Sequence, residues 1–274
     1  MSKAPSVVFF AEGTIAGPLR RGEIDPFESI WKLQVPTALD IIPPHRVIGI
    51  NKKNLVAMDR SMPPMSSFSI GLDDIIANAL EREPFDIAVI LWDLVPPWSP
   101  VNGFCRWEET KSLYKGLSES RRLPNLWRKQ AADRLEDLCT RPTNAARAAL
   151  QELNTGQVFA VCMEPMFEIL LALCEDIVMD IFQLRKRPAG WPNDWPGVTV
   201  RPDIEIIQKA ITTARKISPT PSVFRIIRGD MINNKHEWGE FILRQILNNP
   251  HCVDKLRNHA TSTRLTDLLS VNRV

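Results

Sequence analysis

Three acidic residues, Glu12, Asp93 and Glu164, each end or directly follow an apolar segment of the chain. Because the carboxyl ends of parallel strands lie at one edge of a sheet, we expect these three carboxylates to converge there. Glu168 lies one helical turn after Glu164 and can join the same face. We predict that these four residues form a catalytic site in which Glu12, Asp93 and Glu164 are metal ligands. The alternative is that each acidic residue separately caps a turn.

Converging carboxylates repel one another, and a bound cation relieves that repulsion. Mg²⁺ is the usual ion in such sites, where one or two carboxylates hold it together with waters and substrate phosphates. The ion neutralises charge on a phosphodiester and activates water for hydrolysis. The acidic pattern therefore predicts phosphodiester chemistry, with Mg²⁺ or Mn²⁺ as the cofactor.

The apolar segments that precede the acidic residues are typical of strands buried on both faces. The clearest is Ile87–Trp92, which is wholly apolar and is bounded by Glu-Pro before it and Val-Pro-Pro after it. Such runs occur in parallel sheets that helices cover on both faces. The predicted strands are Ser6–Ala11, His45–Ile50, Phe85–Asp93 and Gln157–Met163.

Helical patterns separate these strands and continue after them. In Arg20–Leu39, Asp25 is a good N-cap and Pro26 suits the first turn. The alternation predicts an α/β fold with a mainly parallel sheet of about four strands flanked by helices. The other predicted helices are Ile70–Arg82, a helical insertion within Arg106–Leu153, Pro165–Lys186, Ile204–Lys216, His236–Leu247 and one or two helices in Val253–Leu269; Ser222–Ile227 is a possible short strand.

The predicted domain organisation has two parts. Residues 1–186 form an α/β domain with a helical insertion at about 106–153, and residues 187–274 form a mostly helical C-terminal extension. The extension has no sequence motif of its own, so it is expected to dock on the sheet or on a partner.

Composition narrows the class of protein. The net charge of the 274 residues is +2, so any surface that attracts nucleic acid must be local. The five cysteines are odd in number and form no Cys-x-x-Cys pair, which favours buried thiols in a reducing compartment. No apolar segment approaches the roughly 18 residues of a membrane-spanning helix, and no signal peptide is recognisable. We expect a cytoplasmic protein without membrane contact.

Basic side chains supply candidate contacts to nucleic acid. They are Arg121, Arg122, Arg128 and Lys129 in the helical insertion, and Lys235 ahead of a later helix. Basic residues on one helix face can follow a phosphate backbone. Acidic residues are interleaved in the insertion, so an ordinary solvated helix face is the favoured interpretation. For Lys235 and its neighbour His236, a polar helix start is favoured, and assistance of phosphate chemistry is the alternative.

Several nucleotide and hydrolase motifs are absent from the sequence. Gly13-Thr14-Ile15-Ala16-Gly17 follows the first predicted strand but lacks the Lys-Ser/Thr of a P-loop. The chain contains neither a Rossmann fingerprint nor a Gly-x-Ser-x-Gly elbow. These absences argue against a P-loop NTPase, a dinucleotide-dependent dehydrogenase and a serine hydrolase.

The acidic motifs resemble those of the TOPRIM superfamily, in which a glutamate follows the first strand and an Asp-x-Asp after the third strand holds Mg²⁺. Phe9-Phe10-Ala11-Glu12-Gly13 is similar to the first motif and Ile90-Leu91-Trp92-Asp93 to the second. Met163-Glu164-Pro165-Met166-Phe167-Glu168 is similar to the strand and Glu-containing helix of stand-alone TOPRIM-type proteins encoded beside ATPases in prokaryotic antiphage defence. The resemblance covers roughly residues 5–185.

This resemblance implies a metal-dependent endonuclease that acts on DNA or RNA together with an ATPase subunit, and an oligomer is compatible with it. Glu12 would be the general acid or base, and Asp93 would bind Mg²⁺. The chain departs from the family at Val95, where the second aspartate is expected. Glu164 or Glu168 would then have to substitute as a ligand.

The sequence is also compatible with two other functions. One is a non-catalytic binding or regulatory subunit that retains the TOPRIM-like fold. The other is a nucleotide-binding protein of flavodoxin-like type, in which the carboxylates at the strand ends serve a ribose or a cation.

Overall fold

The sheet of the protein consists of four parallel strands. The computed structural model describes residues 5–13, 24–51, 53–54, 70–93, 107–142, 156–163, 167–188, 191, 204–231 and 233–269. The strands are β1 (Val7–Glu12), β2 (Arg46–Ile50), β3 (Ile87–Asp93) and β4 (Val158–Met163). Their order is β2-β1-β3-β4, and every neighbouring pair is parallel. The predicted α/β class and the four predicted strands are confirmed.

The strand order contains one reversal. The chain passes from β1 to β2 on one side, and then crosses so that β3 lies on the other side of β1. The connections that follow β1 and β3 lead to strands on opposite sides, and in open α/β sheets such a reversal marks a crevice at the carboxyl ends of the two strands. Ligands of open α/β sheets bind at such a switch point. Glu12 is the last residue of β1 and Asp93 the last of β3, so both lie at this crevice.

Helices flank both faces of the sheet. Those between β1 and β4 are α1 (Pro26–Ser29), a π-turn (Ile30–Gln34), α2 (Val35–Leu39), α3 (Leu72–Arg82), α4 (Trp107–Glu119) and α5 (Asn125–Thr140). Those after β4 are α6 (Glu168–Ala172), α7 (Glu175–Ile181), α8 (Ile204–Ala214), α9 (Val223–Ile226), α10 (Lys235–Leu247), α11 (Pro250–Arg257) and α12 (Ala260–Leu269). No helix in the described ranges is long and apolar enough to cross a lipid bilayer.

Successive residues of each strand point to opposite faces and divide the core into two layers. Phe9 and Val89 belong to one layer, whereas Phe10, Ile90 and Trp92 belong to the other. Helices α3, α4 and α5 complete the second layer. The first layer contains α1, α2 and apolar side chains from α8 and from α10 through α12. The C-terminal helices therefore share a core with the sheet, although the predicted boundary at residue 187 itself stays a prediction.

The predicted cap at Asp25 and first turn at Pro26 are confirmed, whereas the predicted helix Arg20–Leu39 is too long at its start, because Ile24 and Asp25 are not helical. Asp25 Oδ1 accepts hydrogen bonds from the backbone N–H groups of Phe27 and Glu28, at 2.9 and 3.3 Å. The helix then widens into the π-turn, in which the N–H of Val35 donates to the carbonyl of Ile30. Pro36 follows at once, and proline has no N–H and clashes with a regular preceding turn. The wider turn accommodates this proline without ending the helical segment.

Two further predicted elements differ from the structure. The segment predicted as one helix, Pro165–Lys186, contains two helices, because Cys174 leaves the helical conformation with φ −103° and ψ 71°. The possible strand at Ser222–Ile227 is wrong, since Val223–Ile226 is a helical turn that buries Val223 in the first layer. Both differences arise where burial against distant segments outweighs local sequence preference.

The cysteine prediction is confirmed for two of the three cysteines whose side chains are described. Cys174 and Cys252 are buried free thiols, whereas Cys139 is exposed. The Cys174 Sγ lies 3.5 Å from the carbonyl oxygen of Cys252. Burial raises the pKa of the Cys174 thiol, so this group is held in its unreactive protonated form.

Candidate functional site

Glu12 and Asp93 meet at the switch point of the sheet. Glu12 Oε2 accepts a hydrogen bond of 3.1 Å from the backbone N–H of Asp93. An aspartate carboxyl lies within about 4 Å of its own backbone nitrogen, so the two carboxyl groups are at most about 7 Å apart. This contact places Glu12 next to the backbone of Asp93, and the shared site predicted for Glu12, Asp93 and Glu164 stays a prediction. Glu12 is half-buried, and Asp93 is only 4% exposed.

Asp93 also ties β3 to the segment that follows β4. Its Oδ1 accepts a hydrogen bond of 2.8 Å from the backbone N–H of Phe167, which directly precedes α6. Asp93 therefore has a structural task as well as a candidate chemical one. The turn that Asp93 would cap in the alternative interpretation lies outside the described residues, so that alternative stays a prediction.

The donor chemistry of this pair fits a hard divalent cation. A carboxylate offers about four lone-pair positions, so one hydrogen bond from a backbone N–H does not by itself prevent a carboxylate from ligating a metal. Hydrogen bonds of this kind orient the carboxylates that ligate metals in proteins. Among the described residues, no group of three or more His, Cys, Asp or Glu side chains is arranged to hold a metal ion. Two carboxylates completed by waters and phosphate are the arrangement typical of Mg²⁺.

The third predicted ligand lies outside the described part of the chain. Residues 164–166, which include Glu164, are not described, and Val95 falls in another such range. Glu168 is the first residue of α6, but its side chain is not among those described. The structure therefore brings together Glu12 and Asp93, and the roles of Glu164 and Glu168 stay predictions.

Gly13 follows Glu12 directly, at the carboxyl end of β1. Its N–H donates to the carbonyl of Ile50 at 2.9 Å, which continues the pairing of β1 with β2. Its φ is +145°, a conformation that favours glycine. A Cβ atom at this position would lie 2.7 Å from the Phe27 ring and 2.8 Å from His236 Cε1. The missing side chain at residue 13 is therefore the space into which Phe27 and His236 pack.

His236 and Lys235 enter the site from the beginning of α10. The His236 ring packs edge-on against Phe27, with the ring centroids 5.0 Å apart. Lys235 Nζ lies 5.9 Å from the centroid of the Phe167 ring. Phe167 is also the residue whose backbone N–H donates to Asp93. Both side chains have intermediate exposure. The helix thus adds a base and a cation to the edge of the sheet that carries the two carboxylates.

A buried polar contact fixes the position of α10. Glu240 Oε1 accepts hydrogen bonds from Gln34 Nε2 at 2.9 Å and from the Ser29 hydroxyl at 3.2 Å. One face of the helix approaches closely at Gly239, where a Cβ would lie 3.2 Å from the Phe167 ring. Because Glu240 lies one helical turn after His236, this anchor sets the position of the imidazole.

The predicted nucleic-acid contacts of the helical insertion are partly engaged within the protein. Arg122 donates to both carboxyl oxygens of Glu81 at 2.8 and 2.7 Å, and its Nη1 lies 3.6 Å from Asp74. Arg128 donates to the side chain of Asn125. Arg121 and Lys129 are exposed. For Arg122, the ordinary role is a clamp between the start of α5 and α3.

Arg122→Gln is expected to raise the pKa of Glu81 toward its ordinary value of 4.5. The hydrogen bond from Arg122 now lowers that pKa and raises the pKa of Arg122 itself. A lowered carboxyl pKa stabilises the fold above the unfolded pKa, and the effect is lost as the pH falls through the folded value. The stability difference between the variant and the unaltered protein should therefore be present at pH 7 and vanish in acid. NMR titration of Glu81 and unfolding at both pH values measure it. Arg121→Gln is the control that should leave Glu81 unchanged.

Gly13→Ala is expected to lower the free energy of unfolding by about 2–4 kcal/mol, through backbone strain and overpacking. Denaturant unfolding measures the loss. In a double-mutant cycle with His236→Ala, the two changes should be non-additive, because the added methyl group meets the imidazole. Additive losses would show that His236 does not occupy the space beside residue 13.

His236 is a candidate residue for which the sequence favoured a polar helix start over a chemical role. Its sequence neighbours are polar and lie far along the chain from Gly13, so no spacing connects the two positions. The one sign of this contact in the sequence was the glycine directly after the strand-end glutamate, because a glycine permits close approach of another side chain.

Comparison of the chain with protein-family models, with curated proteins and with solved structures returned no match. The TOPRIM resemblance therefore rests on the strand-end motifs alone.

Proposed function

We propose that the protein is a metal-dependent nuclease whose site lies at the switch point between β1 and β3. The observation that carries the proposal is the contact between Glu12 and Asp93, which places two carboxylates at the position where open α/β sheets bind ligands. Lys235 lies near Phe167 and supplies a positive charge suited to a phosphate. The combination of carboxylates and a cation suits a phosphodiester better than it suits a neutral substrate.

In this proposal Glu12 and Asp93 hold Mg²⁺ or Mn²⁺. The ion, when bound, supplies neutralisation of the phosphate charge and a lowered pKa of bound water. Asp93 keeps its orientation through the Phe167 N–H, and Glu12 keeps its orientation through the Asp93 N–H. Glu12 is the less buried of the two, and it is the group that accepts the proton of the attacking water. Lys235 binds a non-bridging phosphate oxygen.

The defence setting and the ATPase partner are proposed only because the motifs resemble those of TOPRIM-type defence proteins. They predict that the nuclease is regulated by an ATPase subunit encoded beside it. Co-expression of the two chains, followed by affinity purification, tests this association. Recovery of the chain without its neighbour would argue for a nuclease that acts alone.

A nucleotide-binding protein of flavodoxin-like type is the second candidate. The order β2-β1-β3-β4 favours it, because the flavodoxin-like order places its ligand at this same switch point. In that function the carboxylates would bind a ribose hydroxyl or a cation, and no phosphodiester would be cleaved. A non-catalytic subunit is a third possibility, which rests on Val95 in the sequence.

One assay separates these functions. Purified protein is incubated with supercoiled plasmid and with tRNA, in Mg²⁺, in Mn²⁺ and in EDTA. The nuclease proposal expects nicked or shortened nucleic acid with either metal and intact nucleic acid in EDTA. Intact substrates under all conditions, together with a nucleotide released from the denatured protein, would favour the second candidate.

A further inference from the structure

The contact between His236 and Gly13 joins the C-terminal helices to the chemical edge of the sheet. His236 Cε1 lies 2.8 Å from the position of a Cβ on Gly13, and this carbon is bonded to both ring nitrogens. With consecutive Cα atoms about 3.8 Å apart, the Cε1 atom is within about 8 Å of the Glu12 Cα. The imidazole therefore faces the backbone next to the candidate metal ligand.

The surroundings of His236 differ from those of His45 and His251. Its exposure is intermediate, so the ring is packed on one side and accessible on another. The packed side is Phe27, and the Glu240–Gln34 contact holds the helix one turn further on. By contrast, His251 is exposed on α11, and His45 binds Ser6 at the opposite ends of the strands. A partly accessible imidazole that packs on the residue following Glu12 is suited to contact a substrate at this edge of the sheet.

We propose that His236 is a catalytic residue that donates a proton to the leaving oxygen of a phosphodiester. The inference rests on the proposed nuclease function and deepens it, because it assigns the leaving-group side of the reaction to α10. It also commits to the substrate class, a phosphodiester whose leaving group is an alkoxide, as in DNA and RNA.

The proposed hydrolysis conserves atoms, electrons and protons. The oxygen of a water molecule bonds to phosphorus while the bond from phosphorus to the leaving oxygen breaks. Glu12 takes a proton from the water, and His236 gives a proton to the leaving alkoxide. The products are a phosphomonoester and an alcohol, and solvent returns the proton from Glu12 to His236. No oxidant or further reactant is required.

Dependence on the leaving group tests this role against simple packing. An alkoxide requires protonation as it leaves, whereas p-nitrophenolate does not. His236→Gln should reduce cleavage of a DNA oligonucleotide by about 10²-fold, which lies in the range of general acid catalysis. The same variant should retain cleavage of bis(p-nitrophenyl) phosphate within about threefold. Equal losses on the two substrates, or no loss on DNA, would overturn the inference while leaving the nuclease function standing.

Two controls accompany the kinetic experiment. His251→Gln changes an exposed histidine on a neighbouring helix and should leave both activities unchanged. His236→Asn is measured beside His236→Gln, and thermal unfolding of both shows that the fold is retained. Absence of hydrolysis by the unaltered protein would contradict the proposed function itself.

An NMR measurement decides the placement of His236 without any turnover. Imidazole C–H signals are recorded with Mg²⁺ during addition of a phosphorothioate dinucleotide, and the His236 signal is identified by its loss in His236→Gln. The expected result is a shift of the His236 signal with the His251 signal unchanged. Glu12→Gln should abolish that shift. A His236 signal that stays unchanged at saturating probe would overturn the inference, with or without hydrolysis.

Discussion

Glu12→Gln is expected to reduce metal-dependent cleavage of nucleic acid by about 10²–10⁴-fold with little change in stability. The glutamine carbonyl can still accept the hydrogen bond from the Asp93 N–H, so the local geometry is retained. The variant removes only the negative charge and the basic oxygen. Plasmid nicking at several Mg²⁺ concentrations measures the effect, and part of the loss should be recovered at high metal concentration if the charge also binds the ion.

Glu119→Gln is the matched control for this substitution. Glu119 is an exposed residue at the end of α4, and the same chemical change there should leave cleavage within about twofold. Full activity of Glu12→Gln would remove the central residue of the nuclease proposal. Loss of activity accompanied by unfolding would instead show that Glu12 supports the structure.

Asp93 is expected to give two different results on two substitutions. Asp93→Asn keeps an oxygen that accepts from the Phe167 N–H, so it should cost little stability but reduce cleavage by at least about 10²-fold. Asp93→Ala leaves that buried N–H without its acceptor and should additionally lower the free energy of unfolding by about 1–3 kcal/mol. Chemical unfolding and plasmid nicking on the same preparations separate the two effects.

The comparison of the two variants isolates the chemical role of the carboxylate from its structural one. If Asp93→Asn is as active as the unaltered protein, Asp93 serves only to hold the segment before α6. If both variants are equally unstable, the contribution of this carboxylate to folding depends on its charge and not on the hydrogen bond alone.

The strands and the two strand-end carboxylates could be predicted from the sequence, because the apolar runs before Glu12 and Asp93 are short, β-branched and sharply bounded. Such runs favour strands that are buried on both faces of a sheet. The order β2-β1-β3-β4 could not be predicted in the same way, since apolar runs do not say which strand pairs with which. The switch point, and with it the crevice, came from the structure.

The contribution of α10 to the site also depended on the structure. His236 lies in a segment whose local pattern predicts only an amphipathic helix, and the partners that hold it, Gly13 and Phe27, are near the other end of the chain. A contact between residues so far apart leaves no periodic pattern in the sequence. The π-turn at Ile30–Gln34 and the pairing of Arg122 with Glu81, which lies in a different predicted helix, also depended on the structure.

The meeting of the two ends of the chain at the crevice has a kinetic consequence. Contacts between residues far apart in sequence raise the contact order, and a high contact order slows folding because a long loop must close first. Gly13 and His236 are such a pair, and so are Ile42 and Leu269, whose backbones join at 3.0 Å. A ribosome-bound chain that has emerged only through β4 lacks α10, so this edge of the sheet is completed only after α10 has emerged.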